Sequence, residues 1–331
     1  MSFRLCLIGA GRIGRIHAGN IAAHPDASLH CVVDADPKAS AELANRTGAK
    51  VCDLDSALAD DKVDAVVIAS STDTHLPLIE ACAAAGKPVF CEKPLDLDSG
   101  NARRGIELAR ESSILLFVGF NRRYDPSFRK LRQELKAGAI GAIEVLTITS
   151  RDPSPPPLDY VKRSGGLFRD MMIHDFDMAR WLLGAEPTAV FATGSCLVDD
   201  TIGRAGDVDT AAVILETATG AVCQITNSRR CSYGYDQRIE AFGANGMLRA
   251  DNETATRVEV ANANGFLKEP ALPFFLERYR SAYRLEMDDF LRALGGEAHD
   301  LAGGEDGLRA LLLADAAERS RRAQVRVPTG G

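Results

Sequence analysis

Short runs of apolar residues, separated by stretches with helical spacing, make up the first 120 or so residues of the chain. Continuous rather than alternating hydrophobicity is expected of parallel strands whose two faces are both covered. Five such runs lie at residues 4–8, 29–33, 65–69, 88–91 and 114–119. The regular alternation of strand and helix predicts an α/β domain with a doubly wound parallel sheet and right-handed crossovers.

Alternating apolar and polar positions replace these runs beyond residue 140. The alternation is typical of half-buried β-strands. It is found at residues 142–150, 211–216, 221–227, 238–242 and 247–250. Glycine-containing turns at 217–220 and 243–246 predict two hairpins. We therefore expect an N-terminal domain of residues 1–122 and a C-terminal α/β domain of residues 123–331, built on a mainly antiparallel sheet. One face of that sheet is a candidate interface between subunits.

The segment 165–181 carries an unusual group of polar residues within a helical pattern. Asp170, His174 and Asp177 are spaced by four and then three residues, so a helix over 170–183 would place them on one face. Two carboxylates and an imidazole on one face could bind a polyol and move a proton; a solvated polar face is the alternative. The opposite face is apolar and suited to a core, with Met171, Met178 and Leu182.

Composition and charge narrow the possible partners. The 331 residues carry a net charge of −7, which argues against nucleic acid or an anionic membrane surface as the main partner. No run of 18 apolar residues occurs, and the first apolar segment is too short for a signal peptide, so we expect a cytoplasmic protein. The eight cysteines have no metal-ligand spacing, so we expect reduced thiols and no metal site.

A glycine-rich turn follows the first predicted strand and opens a helix. Its G-x-G-x-x-G spacing is formed by Gly9, Gly11 and Gly14, and Arg12 and Ile13 lie within the turn. These glycines allow a tight turn, close approach of a pyrophosphate, and close packing of helix on strand. The helix N-terminus offers free N–H groups to the phosphates. The whole unit predicts a dinucleotide site.

An acidic residue at the end of the second predicted strand indicates which dinucleotide binds. Asp34 lies 20 residues after Gly14 and can accept hydrogen bonds from both ribose hydroxyls of NAD. The carboxylate would repel the 2′-phosphate of NADP, and residues 35–37 contain no arginine to receive it. We therefore predict NAD as the cofactor.

Two further loops follow parallel strands at the end where ligands bind. The first contains Ser70, Thr72 and His75, which are expected to border the cofactor, although Thr72 could simply cap a helix. The second contains Glu92 and Lys93. A partly desolvated lysine there would be suited to proton relay, whereas an ordinary surface lysine is the alternative.

Taken together, these motifs resemble the glucose-fructose oxidoreductase, inositol dehydrogenase and rhizopine-catabolism family (Gfo/Idh/MocA). The resemblance covers nearly the whole chain. Its motifs are GAGRIG (9–14), EKP (92–94), GFNRRYDPSF (119–128) and GGLFRDMMIHDFDMARW (165–181). The segments 151–184 and 274–290 resemble the inositol 2-dehydrogenases within it most closely.

The resemblance implies a Rossmann domain followed by a sheet domain that serves assembly, commonly of tetramers. It implies reversible oxidation of a ring hydroxyl by NAD, with the family's catalytic lysine, aspartate and histidine at Lys93, Asp170 and His174. Asp177 matches a substrate-binding carboxylate. One tyrosine of each of two pairs is expected to contact the substrate, namely Tyr233 or Tyr235 and Tyr279 or Tyr283.

The hypothesis that follows is oxidation of myo-inositol at a single hydroxyl group. His174 would accept the hydroxyl proton, and Lys93 would polarise the same oxygen. Candidates for holding the other hydroxyls are Asp177, Arg122 and Tyr235. Residue types do not distinguish myo-inositol from scyllo-inositol, another isomer or a pyranose sugar. A non-catalytic NAD-binding sensor is an alternative of another class, although a sensor would not need all three catalytic side chains.

Overall fold

A computed structural model describes residues 2–297 and 299–329. Six parallel strands form the first sheet, in the order β3-β2-β1-β4-β5-β6. They are β1 Phe3–Ile8, β2 Ala27–Val33, β3 Lys50–Val51, β4 Ala65–Ile68, β5 Val89–Glu92 and β6 Leu116–Gly119. The doubly wound parallel sheet and its five predicted strands are confirmed. Strand β3 was not predicted because its two residues are exposed and form no apolar run.

Five helices connect these strands. They are α1 Arg12–Ala23, α2 Pro37–Thr47, α3 Leu54–Ala59, α4 His75–Ala84 and α5 Ser99–Glu111. Short 3₁₀ turns lie at Thr72–Thr74 and Asn121–Tyr124. The strand ends that carry the glycine turn, Asp34, the Ser70 loop and Lys93 are all carboxyl ends of parallel strands, where ligands of such sheets bind.

The second sheet has seven strands in the order β12-β11-β7-β10-β9-β8-β15. Only β7 and β10 pair in parallel, so the predicted mainly antiparallel sheet is confirmed, and so are both hairpins. The strands are β7 Ile143–Arg151, β8 Pro187–Ser195, β9 Thr210–Thr217, β10 Val222–Ser228, β11 Asp236–Gly243, β12 Gly246–Ala250 and β15 Val327–Pro328. A separate hairpin consists of β13 Glu259–Asn262 and β14 Gly265–Lys268.

Helices of the later part of the chain complete the fold. They are α6 Pro126–Lys136, α7 Leu158–Ser164, α8 Ile173–Leu183, α9 Asp200–Arg204, α10 Phe275–Arg278, α11 Arg280–Leu294 and α12 Gly304–Ala323. Residues 2–297 and 299–329 contain no helix with both the length and the apolar character needed to span a membrane.

The chain divides into two compact units. The first consists of Met1–Tyr124 and Ala282–Leu311, and the second of Asp125–Ser281 and Leu312–Gly331. The expected division into 1–122 and 123–331 therefore misses the return of the chain to the first unit. The cause is core packing, because the ring of Phe290 in α11 stacks on Phe117 at 5.7 Å and lies edge-on to Phe90 at 5.5 Å. Sequence periodicity does not indicate so distant a partner.

The two faces of the seven-stranded sheet differ in exposure. Leu146 and Ile148 of β7 and Ile225 of β10 are buried on one face. The alternate positions form a partly exposed face, which we call the open sheet face. Its large apolar side chains are between 41% and 48% exposed, at Val145, Phe191, Phe242 and Met247. The sheet therefore keeps one apolar face without full cover from its own chain.

Candidate active site

The glycine turn has the geometry of a phosphate-binding loop. Gly9 adopts a φ of +103°, and a Cβ there would lie 2.6 Å from the carbonyl carbon of Ala69. A Cβ at Gly14 would lie 1.9 Å from the Gly9 oxygen, so only glycine allows helix α1 to pack this closely. By contrast, a Cβ at Gly11 would meet nothing within 4 Å. The space beside Gly11 is open to a ligand, as a dinucleotide requires.

The N-terminus of α1 and Asp34 complete this half of the site. Helix α1 begins with Arg12 and Ile13, and its N-cap residue is Gly11. Because glycine has no side chain, Gly11 places no capping group on the backbone N–H groups of the first turn. The Asp34 carboxylate accepts hydrogen bonds from the backbone N–H of Ala10 at 2.5 Å and of Asp36 at 2.7 Å. These bonds hold Asp34 against the glycine turn. The residues present therefore fit NAD, with phosphates at α1 and a ribose at Asp34.

His75 lies between the loop that follows β4 and the loop that follows β5. Its ring is buried, with Nδ1 2.8 Å from the Pro94 oxygen and Nε2 3.3 Å from the Ser70 oxygen. Burial lowers the pKa of His75, so the neutral ring donates one N–H, and the shorter contact to Pro94 is the better bond. Ser70 Oγ lies 2.6 Å from Thr74 Oγ1, and Thr72 is half-buried. The imidazole thus holds the backbone carbonyl of Pro94.

Glu92 and Lys93 lie where strand β5 ends. Glu92 is buried, and its Oε1 lies 2.7 Å from Nε2 of His17 in α1. Lys93 is half-buried. Sequence reasoning missed His17, although its position among Gly14, Ala18 and Ile21 on the buried face of α1 was a readable signal, because a histidine there needs a polar partner.

The helix predicted over 170–183 is partly wrong. A π-helical turn spans Leu167–Met171, closed by the bond from Met172 N–H to the Leu167 oxygen at 2.9 Å, and α8 begins only at Ile173. Asp170 therefore lies in the wider π-turn rather than one α-turn before His174. His174 and Asp177 lie in α8 as predicted, and the apolar face is buried as predicted, at Met171, Met178 and Leu182.

Local sequence explains the altered turn. Gly165 and Gly166 have φ values of +84° and +82°. The Asp207 carboxylate accepts the Leu167 N–H at 3.1 Å, and a Cβ at Gly166 would lie 2.6 Å from Asp207 Oδ1. The two glycines therefore leave room for the Asp207 carboxylate, which caps the first N–H of the π-helical turn. Helical spacing within the segment does not reveal this contact, because Asp207 is distant in sequence.

Two side chains that the sequence analysis did not single out contact Asp170. The Tyr160 hydroxyl donates to Oδ1 at 2.9 Å, and Nη2 of Arg229 lies 3.4 Å from Oδ2. Arg229 is buried, and its Nη1 lies 3.7 Å from Asp152. Asp170 thus meets a cation from the end of β10. An arginine directly after a predicted strand was the available signal.

Helix α8 is fixed to the sheet through Asp175, next to His174. The fully buried carboxylate accepts a hydrogen bond from Ser150 Oγ of β7 at 2.6 Å and from Asn227 Nδ2 of β10 at 2.8 Å. Asp177, also buried, lies half a turn further along the same helix. The rotation of α8, and with it the direction of His174, is therefore set by polar contacts to the sheet.

The expected substrate contacts fall in different surroundings. Tyr235 is buried, and its ring lies edge-on to Tyr279 at 5.9 Å, while the Tyr279 hydroxyl donates to Gln237. Tyr233 is 43% exposed. Tyr283 belongs to the first unit and packs edge-on against His17 at 5.8 Å. Arg122 is buried in the 3₁₀ turn after β6.

A buried carboxylate next to Tyr235 collects five hydrogen-bond contacts. Asp236 accepts from Tyr233, Arg151, Asn252 and twice from Arg238, at distances of 2.6–3.0 Å. Burial raises the pKa of Asp236, but the hydrogen bonds from Arg238, Tyr233 and Asn252 outweigh it, and the pKa falls to about 2. Asp236 was not predicted, and it holds Tyr233 in a bond within the protein.

No group of three or more histidine, cysteine or acidic side chains that could hold a metal ion occurs in the part of the chain that the structure describes.

Family models match both parts of the chain. Residues 3–120 match a model described as an oxidoreductase family with an NAD-binding Rossmann fold. Residues 128–249 match the GFO/IDH/MocA C-terminal domain.

Individual proteins are similar from end to end. Inositol 2-dehydrogenase of Rhizobium meliloti (strain 1021) is 50% identical over 320 residues, 97% of each chain. Myo-inositol 2-dehydrogenase of Thermotoga maritima is 48% identical over 319 residues, 96% of each chain. A crystal structure of scyllo-inositol dehydrogenase from Lactobacillus casei, with bound NAD(H) and scyllo-inositol, superposes with a TM-score of 0.93. It is 30% identical in sequence and covers 100% of both chains.

Proposed function

The chain belongs to the GFO/IDH/MocA oxidoreductase family, and on that premise we propose that it oxidises myo-inositol to 2-keto-myo-inositol (scyllo-inosose) with NAD. The observation that carries the proposal is the similarity, at about half of all positions and over nearly the full length, to two proteins named as inositol dehydrogenases. The open glycine turn held against Asp34 supports NAD as the cofactor.

His174, Asp170 and Lys93 are the proposed catalytic residues. His174, half-buried in the first turn of α8, takes the proton of the reacting hydroxyl as general base. Asp170 stabilises the cationic imidazole, and its contacts to Tyr160 and Arg229 hold the carboxylate in place. Lys93 donates a hydrogen bond to the same substrate oxygen. NAD, when bound, supplies the hydride acceptor, so the chain itself has only to orient the substrate and move a proton.

Asp177, Arg122 and Tyr235 are proposed to bind the remaining hydroxyls of the ring. Each is largely buried, at 1%, 4% and 6% exposed, and each can donate or accept hydrogen bonds. A polyol with a hydroxyl on every carbon suits such a mixed set, since each hydroxyl is both donor and acceptor.

The cofactor would be held by the glycine turn, Asp34 and the loops at the ends of β4 and β5. Because His75 and Glu92 use their side chains within the protein, we infer that they contribute to this site through the loops they support. The proposed cofactor residues are Gly9, Gly11, Arg12, Ile13, Gly14, Asp34, Ser70, Thr72, His75, Glu92 and Lys93.

Scyllo-inositol is the second candidate substrate. The observation in its favour is the fold similarity to the Lactobacillus casei enzyme that holds scyllo-inositol. Another inositol isomer or a pyranose would use the same residue types. A non-catalytic NAD-binding sensor is the candidate of another class.

The test is reduction of NAD, followed at 340 nm, with myo-inositol, scyllo-inositol and glucose offered separately and with NADP as a control. We expect turnover to be fastest with myo-inositol and NAD. Turnover with another polyol but not with myo-inositol would support the proposed hydride-transfer chemistry and would show that the substrate is a different polyol. NAD binding without turnover of any polyol would favour the sensor.

We further propose that the protein is a cytoplasmic homotetramer. The open sheet face supports assembly, because exposed apolar side chains on a regular surface are typical of subunit interfaces.

A further inference from the structure

A buried side-chain hydrogen bond lies next to the lysine assigned to catalysis. His17 is fully buried in α1, and its Nε2 lies 2.7 Å from Oε1 of Glu92, whose side chain is 10% exposed. Among the residues that the structure describes, Nδ1 of His17 has no hydrogen-bond partner. A polar pair in this position costs desolvation that an apolar side chain would avoid, so its presence calls for a role beyond filling the core.

The pair is rigidly held. Because a carboxylate only accepts, the ring of His17 donates through Nε2–H. The same ring lies edge-on to Phe90 at 4.8 Å and to Tyr283 at 5.8 Å. On the other side, Glu92 lies against Gly119, where a Cβ would be 3.1 Å from the carboxyl group. The position of Glu92 is therefore determined by α1 on one side and β6 on the other.

Both chain neighbours of Lys93 are held by buried imidazoles, one through its side chain and one through its backbone carbonyl. Glu92, the residue before it, bonds His17 of α1, and Pro94, the residue after it, accepts from His75 of α4. Helix α1 begins at the glycine turn, whose open space fits NAD. One helix thus connects the phosphate-binding turn with the residue next to Lys93.

We propose that His17 is a positioning residue that holds Lys93 in register with the cofactor turn through Glu92. The inference rests on the proposed function, because it takes Lys93 as catalytic. His17 does not need to touch substrate or cofactor, and its effect passes through one hydrogen bond and one peptide unit.

Two isosteric substitutions separate this role from packing. The amide nitrogen of glutamine can occupy the place of Nε2, whereas that of asparagine reaches only the place of Nδ1. His17→Gln therefore keeps the bond to Glu92, and His17→Asn loses it. We expect His17→Asn to lower kcat about 10- to 100-fold, because small displacements of a catalytic group have effects of that size. KM for NAD should change less than about threefold, and His17→Gln should recover kcat to within about threefold.

A second measurement does not depend on turnover. Lysines are dimethylated with ¹³C-formaldehyde, and the NMR signal of Lys93 is identified by its absence in Lys93→Arg. We expect the Lys93 signal to shift in His17→Asn and in Glu92→Gln, and to keep its position in His17→Gln. Circular dichroism and the thermal midpoint verify that each variant is folded.

The outcomes are distinct. If the wild type turns over no polyol, the proposed function fails, while the Lys93 signal still tests the inference. Equal kcat in wild type and His17→Asn, or a Lys93 signal that does not move in His17→Asn, would overturn the inference. Equal loss in both variants would also overturn it, because that result indicates packing alone.

Discussion

At the scale of single residues, Asp34 supports the glycine turn and is the residue proposed to select the cofactor. Its carboxylate accepts two backbone N–H groups and is the residue proposed to face the ribose. Asp36, two residues on, uses its side chain to cap α2 by accepting the Lys38 N–H. The two aspartates therefore offer a matched pair for testing cofactor choice.

We expect Asp34→Ser to raise the ratio of kcat/KM for NADP to that for NAD by about 10- to 100-fold, because the substitution removes repulsion of a 2′-phosphate. Asp36→Asn, which keeps a capping side chain, should leave the ratio unchanged. Steady-state kinetics with both cofactors checks this. An unchanged ratio in Asp34→Ser would show that Asp34 does not select the cofactor.

His174 is the residue whose loss should affect chemistry most directly. His174→Ala should lower kcat by about 10²- to 10⁴-fold, the usual contribution of a general base, with little effect on NAD binding. His30→Ala, which breaks a contact with Asp60 in the first unit, serves as the control and should retain kcat. Near wild-type turnover in His174→Ala would exclude it as the base.

At the scale of elements, the attachment of α8 to the sheet depends on Asp175. Asp175→Leu removes the carboxylate that accepts from Ser150 and Asn227, and it leaves the buried Asn227 amide N–H without this acceptor, at a cost of about 1–3 kcal/mol. Asp175→Asn should be milder, because the Asn227 oxygen has no hydrogen-bond partner among the described residues 2–297 and 299–329 and can accept after rotation of its amide. Thermal midpoints should therefore fall more for leucine than for asparagine. The reverse order would show that Asp175 does not anchor the helix in this way.

The start of β11 is held by Asp236 against β7, and this contact should respond to acid. The pKa of about 2 lies below the ordinary value of 3.8, so the ionised carboxylate stabilises the folded state above about pH 4. That contribution, about 2 kcal/mol, is lost as the pH falls through 2. Asp236→Asn should lower the thermal midpoint by about 4–8 °C at pH 7.

The pH series supplies the control for this prediction. The difference in thermal midpoint between wild type and Asp236→Asn should narrow between pH 4 and pH 2. A difference that stays constant over this range would mean that the charge of Asp236 contributes nothing.

The sequence predicted elements well wherever the determinants were local. Apolar runs identified the strands of the first sheet, and the glycine spacing located the turn before α1. Prediction from the sequence failed where two side chains in contact are distant along the chain. The π-turn depends on Asp207, the position of Glu92 depends on His17, and Asp170 meets Arg229. None of these contacts has a helical or strand period, so periodicity could identify the polar residues but not pair them.

At the scale of the whole molecule, the open sheet face is the feature that bears on assembly. Phe242 of β11 and Met247 of β12 lie near one end of it, and both are nearly half exposed. Burial of such a face between two copies of the chain would stabilise the assembly, because apolar area would be removed from water.

We expect Phe242→Glu to shift the protein from the proposed tetramer to smaller species in analytical ultracentrifugation, since a buried unpaired carboxylate is costly. Val51→Glu, at an exposed position of β3 in the first unit, is the matched control and should not change the sedimentation. An unaltered tetramer in Phe242→Glu, or a monomeric wild type, would contradict the proposed interface.

The interrupted path of the chain has a consequence for biosynthesis. Residues 125–281 are made in one stretch, whereas the first unit needs Phe290 and other residues of 282–311 to cover Phe90 and Phe117. During translation, the strands of the parallel sheet are made before residues 125–281, so the sheet must wait for that whole stretch, and for Phe290 after it, before its aromatic core closes. The nascent chain therefore carries an uncovered apolar surface while residues 125–281 are made, and this is the interval in which we expect it to need chaperones most.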